Sequence, residues 1–197
     1  MKQIILQMLL LLSCVATYGQ DILDFRMCDV YKGKVKSITI TSPEMMQAEM
    51  KFTPDGKISY MRNATFSVEY DWKSNEELKL TISNIQESQS FYIYINEYGK
   101  NFYDYDMGEN NCKMWFRENG SIGKKEVIQN GNKMYSTYYY RSDSDLYPYK
   151  IENRMGMQVQ TIYISVDKYD TKGNAIEFTN SCNGITIQQK RIITYYE

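Results

Sequence analysis

Histidine is absent from all 197 residues. That absence removes Ser-His-Asp and Cys-His nucleophile arrangements, histidine general bases and the usual zinc ligand sets. Carboxylate chemistry is then the main route left to an enzyme. Asp and Glu are spread over nearly every turn, however, and no pair stands out, so the sequence leans away from catalysis. A surplus of positive charge is also missing, with 23 Lys and Arg against 24 Asp and Glu. On that balance no nucleic acid is expected as a partner, because such binding needs concentrated positive charge, and the same holds for an acidic membrane. The chain lacks a Gly-x-x-x-x-Gly-Lys phosphate loop, and no cofactor is expected. Beyond the first residues, no apolar run approaches the roughly eighteen residues of a membrane helix.

What is there begins with a leader. Lys2 supplies one positive charge, and Ile4 to Leu12 form an apolar run with the length of a signal-peptide core. The expected cut follows Gly19, so residues 1–19 read as a signal peptide and 20–197 as one β-rich domain. A competing reading takes Leu11-Leu12-Ser13-Cys14 as a loose lipobox, with Cys14 acylated and the protein anchored. Either way the chain is exported, to the periplasm or cell surface. Cleavage after Gly19 leaves Cys28, Cys112 and Cys182. These are too widely spaced for a metal knuckle, and the plain reading is small buried hydrophobes.

Tyrosine is plentiful, at 19 residues. It favours strands and tolerates half-burial, with its ring packed and its hydroxyl wet. Hydrophobic periodicity is two, not 3.6, from about Val35 onward. Phe66, Val68, Tyr70 and Trp72 point one way, and Ser67, Glu69 and Asp71 the other, which describes a strand with one wet face. Met157 and Val159 fall out of phase with Ile162, Ile164 and Val166, and a bulge near Gln160 is expected to reconcile them. Asp55-Gly56, Asn119-Gly120, Asn130-Gly131 and Asn183-Gly184 sit between alternating segments as hairpin turns. Tyr98-Gly99 and Lys172-Gly173 are read the same way, and Pro43 to Gln47 as a single helical turn. The expected fold is all-β: an antiparallel meander of hairpins in a twisted or curled sheet, open, half-barrel or barrel. A membrane-spanning barrel is the rival architecture, although most strands look too short for one.

An aromatic or β-branched residue recurs four positions before a turn glycine, as in Phe52/Gly56, Ile95/Gly99, Phe116/Gly120, Val127/Gly131 and Tyr169/Gly173. Tyr169-Asp170-Thr171-Lys172-Gly173-Asn174 resembles the tyrosine–aspartate (YD, or Rhs-type) repeat, with weaker copies at Phe52–Lys57 and Phe116–Gly120. The chain as a whole is similar to small exported proteins of Gram-negative bacteria that carry such units. The resemblance implies β-hairpins and an envelope location, and it brings no functional residues with it.

Two acidic groups invite a cation-site reading: Asp104, Asp106 and Glu109 with their neighbouring asparagines, and Asp143 with Asp145. Both lack ordered calcium-loop spacing and read as solvated turns, so no metal is expected. For binding, Tyr92, Tyr94, Trp115, Tyr138 and Tyr140 are expected to line one face of the sheet with Arg141, and with Arg117 nearby. Exposed aromatic rows stack on sugars or dock proteins; the plain alternative is cross-strand ring pairing. The leading function is a non-catalytic interaction module of the envelope, with a protein or glycan partner. A carrier enclosing an apolar ligand is second, and a two-carboxylate hydrolase third.

Overall fold

Strands follow one another in chain order along a computed structural model that describes residues 31–197, apart from 44–46, 75–76, 85, 100–101, 108–109 and 130. The leader, Cys14, Cys28, Glu109 and most of the turn expected over Pro43–Gln47 lie outside the described residues. The strands are β1 (Val35–Thr41), β2 (Ala48–Phe52), β3 (Ile58–Arg62), β4 (Phe66–Trp72), β5 (Glu77–Asn84), β6 (Ser88–Gly99) and β7 (Phe102–Met107). They continue with β8 (Asn110–Phe116), β9 (Ile122–Gln129), β10 (Asn132–Tyr139), β11 (Lys150–Met155), β12 (Gln158–Tyr169), β13 (Ala175–Cys182) and β14 (Ile185–Tyr195). Every neighbour pair is antiparallel. The order closes when β1 pairs with β14 through Ile38↔Ile193 and Ile40↔Arg191, which makes the meander a barrel without free edges.

The alternation seen in the sequence sets the two faces. Val68, Tyr70, Leu78, Leu80 and Ile93 point inward and are buried, while Ser67, Glu69, Asp71, Lys79 and Thr81 lie on the opposite face of the same strands. Ile38, Val68, Leu78, Ile93 and Met114, from β1, β4, β5, β6 and β8, each have 0% exposure. A fourteen-stranded barrel of circular section would leave a lumen. Full burial of those side chains means that the walls have closed on one another there, so the barrel is flattened and filled. Each such side chain contributes about 1.5–3 kcal/mol of burial. The outer face carries cross-strand ion pairs such as Arg62–Glu49 at 2.9 Å and Lys113–Asp104 at 3.1 Å. Apolar inside and charged outside is the reverse of the arrangement in a membrane-spanning barrel.

The interior has two parts. The larger apolar cluster is built on β1–β6, β8 and β9. The smaller joins Ile151, Ile162, Ile164, Ala175 and Phe178, and Tyr138 packs against both. Polar side chains are buried beside the smaller one, among them Asn180, Gln189 and Arg191. The Arg191 guanidinium lies 4.2 Å from the Phe178 ring centre and donates to the Tyr31 hydroxyl at 3.3 Å. Lys125, inward on β9 opposite Met114, is also buried, and loss of hydration pushes its pKa down to about 7.

Two expectations are corrected by the register. The bulge expected near Gln160 does not form: β11 and β12 pair without interruption from Met155↔Gln158 to Lys150↔Tyr163, and the shift falls between Val166 and Tyr169. Met157 and Val159 are out of phase because they point outward, at 100% and 51% exposure. The turns at Gly56, Gly120 and Gly173 are longer than two residues. In each, the residue three before the glycine accepts from the glycine N–H and donates its own N–H to the residue four ahead (Thr53/Lys57, Arg117/Ser121, Asp170/Asn174). Positive φ values of 80–90° at those three glycines complete the turn, and a register shift follows in each hairpin. Three of the five copies of the sequence repeat thus share a turn geometry, whereas Gly99 is paired with Phe102 at the end of β6 and Gly131 lies in the two-residue turn closed by Gln129↔Asn132.

Candidate functional site

All three of those turns connect an even-numbered strand to the next, so they share one end of the barrel with both ends of the described chain. That end is tied together. Asn174 is fully buried in the β12–β13 turn: its Oδ1 accepts from Lys32 N–H at 2.7 Å, and its Nδ2 donates to Lys32 O and to the Tyr195 hydroxyl. Tyr195 donates in turn to Asp170. Burial works against the Asp170 carboxylate, but the Tyr195 hydroxyl and the N–H groups of Asn174 and Lys172 outweigh it and hold its pKa below the ordinary 3.8. Burial, followed by that same hydrogen bond, pushes Tyr195 up to about 12.

The β10–β11 connection, residues 140–149, folds over the same end. Arg117 in the β8–β9 turn holds it by donating to Asp145 O and Ser142 O, both at 2.9 Å, while its guanidinium stacks 3.8 Å from the Tyr140 ring centre. Asn119 adds Nδ2 donations to Asp143 O and Asp145 O. Tyr147 closes the mouth of the barrel. Its ring lies 5.5 Å from Phe178 and 6.5 Å from Tyr169, and its hydroxyl accepts from Ala175 N–H. Burial raises the Tyr147 pKa far above its ordinary value.

Between this connection and β12 runs a groove of about 450 Å³. Tyr147, Tyr149 and Tyr169 supply rings to it, and Lys32 and Arg141 supply cations. Tyr169 is 54% exposed, and Arg141 lies 5.7 Å from the Tyr149 ring centre. Among the described lining residues the one carboxylate is Asp145, whose Oδ2 accepts from Ser142 N–H at 3.0 Å. Hydrolysis by paired carboxylates needs a second one facing it.

The aromatic row expected from the sequence does not assemble as one surface. Tyr92 and Tyr94 are exposed on β6 and stack at 6.4 Å. Trp115 faces outward on β8, with Phe102 at 5.3 Å and the Lys124 ammonium at 4.6 Å. Tyr138 is turned into the core, and Tyr140 donates its hydroxyl to Ile122 O at the tied end. Of the six, Arg141 alone lines the groove. Strand alternation does not relate Tyr147 and Tyr149, on an irregular connection, to Tyr169 on a strand; the polar run Ser142-Asp143-Ser144-Asp145 ahead of Pro148 is the one local signal of that connection. Asp104 and Asp106 lie on the outer face, where both accept from Asn111 Nδ2. Cys112 is buried on β8, and Cys182 is half-buried on β13.

No family model matches the chain, and no curated protein matches it in sequence. Among solved structures it is similar to a porin-like protein from Bacteroides vulgatus, at 12% identity over 83% of this chain and 99% of that one, with a TM-score of 0.49. At that identity the likeness carries no residue roles to this chain.

Proposed function

We propose that the protein is a non-catalytic, exported binding module of the Gram-negative envelope, and that its groove takes an acidic glycan. The observation that carries this reading is the groove itself. Three tyrosine rings offer faces for sugar stacking, and Lys32 and Arg141 offer positive charge for a carboxylated sugar. A volume near 450 Å³ lies within the range of small-ligand sites. The connection bearing most of these groups is fixed by Arg117 and Asn119, so the site is formed before a ligand arrives. The leader supports export, and the likeness to envelope proteins with YD-type hairpins agrees with it. A carrier of apolar cargo is disfavoured, because the inner-face residues that would line its chamber are packed to zero exposure.

Isothermal calorimetry with the purified protein tests the reading, using oligogalacturonate as the acidic probe and a neutral glucan of equal length as control. Binding of the uronate, weakened by Arg141→Gln and by Tyr169→Ala, is expected. Equal affinity for both sugars, or affinity unchanged in both variants, overturns it.

A further inference from the structure

The opposite end of the barrel carries the odd-to-even hairpins. Three adjacent ones, β9–β10, β11–β12 and β13–β14, end in short turns around Gly131, Gly156 and Gly184. Two of these hairpins carry exposed apolar side chains at or beside the turn: Met155 50%, Met157 100% and Val159 51% on β11–β12, and Ile185 64% on β13–β14; the β9–β10 turn is polar and contributes Lys133. Nothing in the fold requires this, since hairpin tips that face solvent are ordinarily polar. The chain is also sorted by charge here. Residues 128–134, 153–160 and 181–188 contain no Asp or Glu, and they contain Lys133 and Arg154. Lys133 reaches back toward Glu126 at 3.7 Å and stays more than half exposed. The run of adjacent carboxylate-free hairpins does not extend around the whole end, since the β5–β6 turn there carries Glu87.

We infer that these three tips form a surface that docks on an anionic lipid membrane, with Met155, Met157, Val159 and Ile185 entering the interface and Lys133 and Arg154 meeting the head groups. The apolar groups stand on two adjacent projecting hairpins, and the third adds a basic side chain, which suits a soft, laterally continuous surface better than the knob of a folded partner. Unbranched methionine side chains adapt to such a surface. Shallow apolar insertion combined with basic residues and no carboxylate is the recognised pattern of interfacial membrane binding. Docked in this way, the barrel stands on the membrane by one end and holds the groove at the other, facing away from the lipid. The inference extends the envelope reading, but the contact itself does not depend on the groove.

Co-sedimentation of the purified protein with vesicles tests it, using phosphatidylethanolamine and phosphatidylglycerol at 3:1 against pure phosphatidylcholine. Partitioning into the anionic vesicles is expected to exceed that into phosphatidylcholine by roughly tenfold or more, given two basic residues at the surface. Met157→Asp and Ile185→Asp, at fully or largely exposed positions, should abolish it with an unchanged circular dichroism spectrum. Arg141→Gln should leave it intact, which separates a failure of the groove from a failure of docking. No partitioning, equal partitioning into both vesicles, or partitioning unaffected by either aspartate overturns the inference. Self-association lost in Met157→Asp, without vesicle binding, would overturn it in favour of a protein partner.

Discussion

The two ends of the barrel are made from the same kind of hairpin and differ in what lies over them. At one end, residues 31–34, the 140–149 connection and the C-terminal tyrosines are hydrogen-bonded to the turns at 117–121 and 170–174. At the other, no described segment lies over the turns around Gly156 and Gly184, and those two hairpins present apolar side chains. The difference teaches where rigidity is concentrated. Among the described residues, hydrogen-bonded order beyond the sheet is concentrated around the groove, which lowers the entropy lost on binding a small ligand. The free hairpins keep their adaptability for a surface without fixed shape.

The comparison can be broken most forcefully at Asn174. Asn174→Ala removes the partner of the Lys32 N–H and C=O and a donor to Tyr195, so a loss of about 1–3 kcal/mol is expected in chemical denaturation. Arg117→Met should cost about 1–2 kcal/mol, with hydrogen exchange accelerated at Ser142–Asp145 and not at residues 155–159. A matched pair follows, with each end tested at a glycine of positive φ. Gly184→Ala, in open space, should cost about 1 kcal/mol, and Gly173→Ala more, because its new Cβ would sit 3.0 Å from the Lys32 ammonium.

A pH series gives a smaller signal. The folded pKa of Tyr195 is raised to about 12, so its contribution is complete below pH 10 and is lost as the pH climbs through 12. That of Asp170 is lowered, so its contribution is present above 3.8 and is lost as the pH falls further. The difference between wild type and Tyr195→Phe across pH 9–12, read by thermal unfolding, isolates the first. The smallest effect belongs to Met157→Gln, expected within about 0.5 kcal/mol of wild type because the side chain touches solvent alone. A large loss there would mean that the bare end is braced in some further way.

Much of the fold was legible because alternation is a one-dimensional signal. Phe66–Trp72 reads as a two-faced strand in any register, and each Asn-Gly or Asp-Gly marks a reversal. Barrel closure was not legible, since the pairing of Ile38 with Ile193 joins residues that no local pattern relates. The phase break at Met157 and Val159 is visible in the sequence, but alternation alone does not distinguish a bulge from apolar residues that face solvent. The site was the least legible part. Strand-borne tyrosines announce themselves by spacing, whereas Tyr147 and Tyr149 acquire their place from an irregular connection pinned by Arg117, a contact that spans 28 residues.

The most direct test of the account is a ¹H–¹⁵N NMR titration of the purified protein with oligogalacturonate. Shift changes confined to Lys32, residues 141–149 and residues 164–169, with none at 155–159 or 183–185, are predicted. Changes centred on the bare hairpin tips, or none anywhere at saturating sugar, would contradict it.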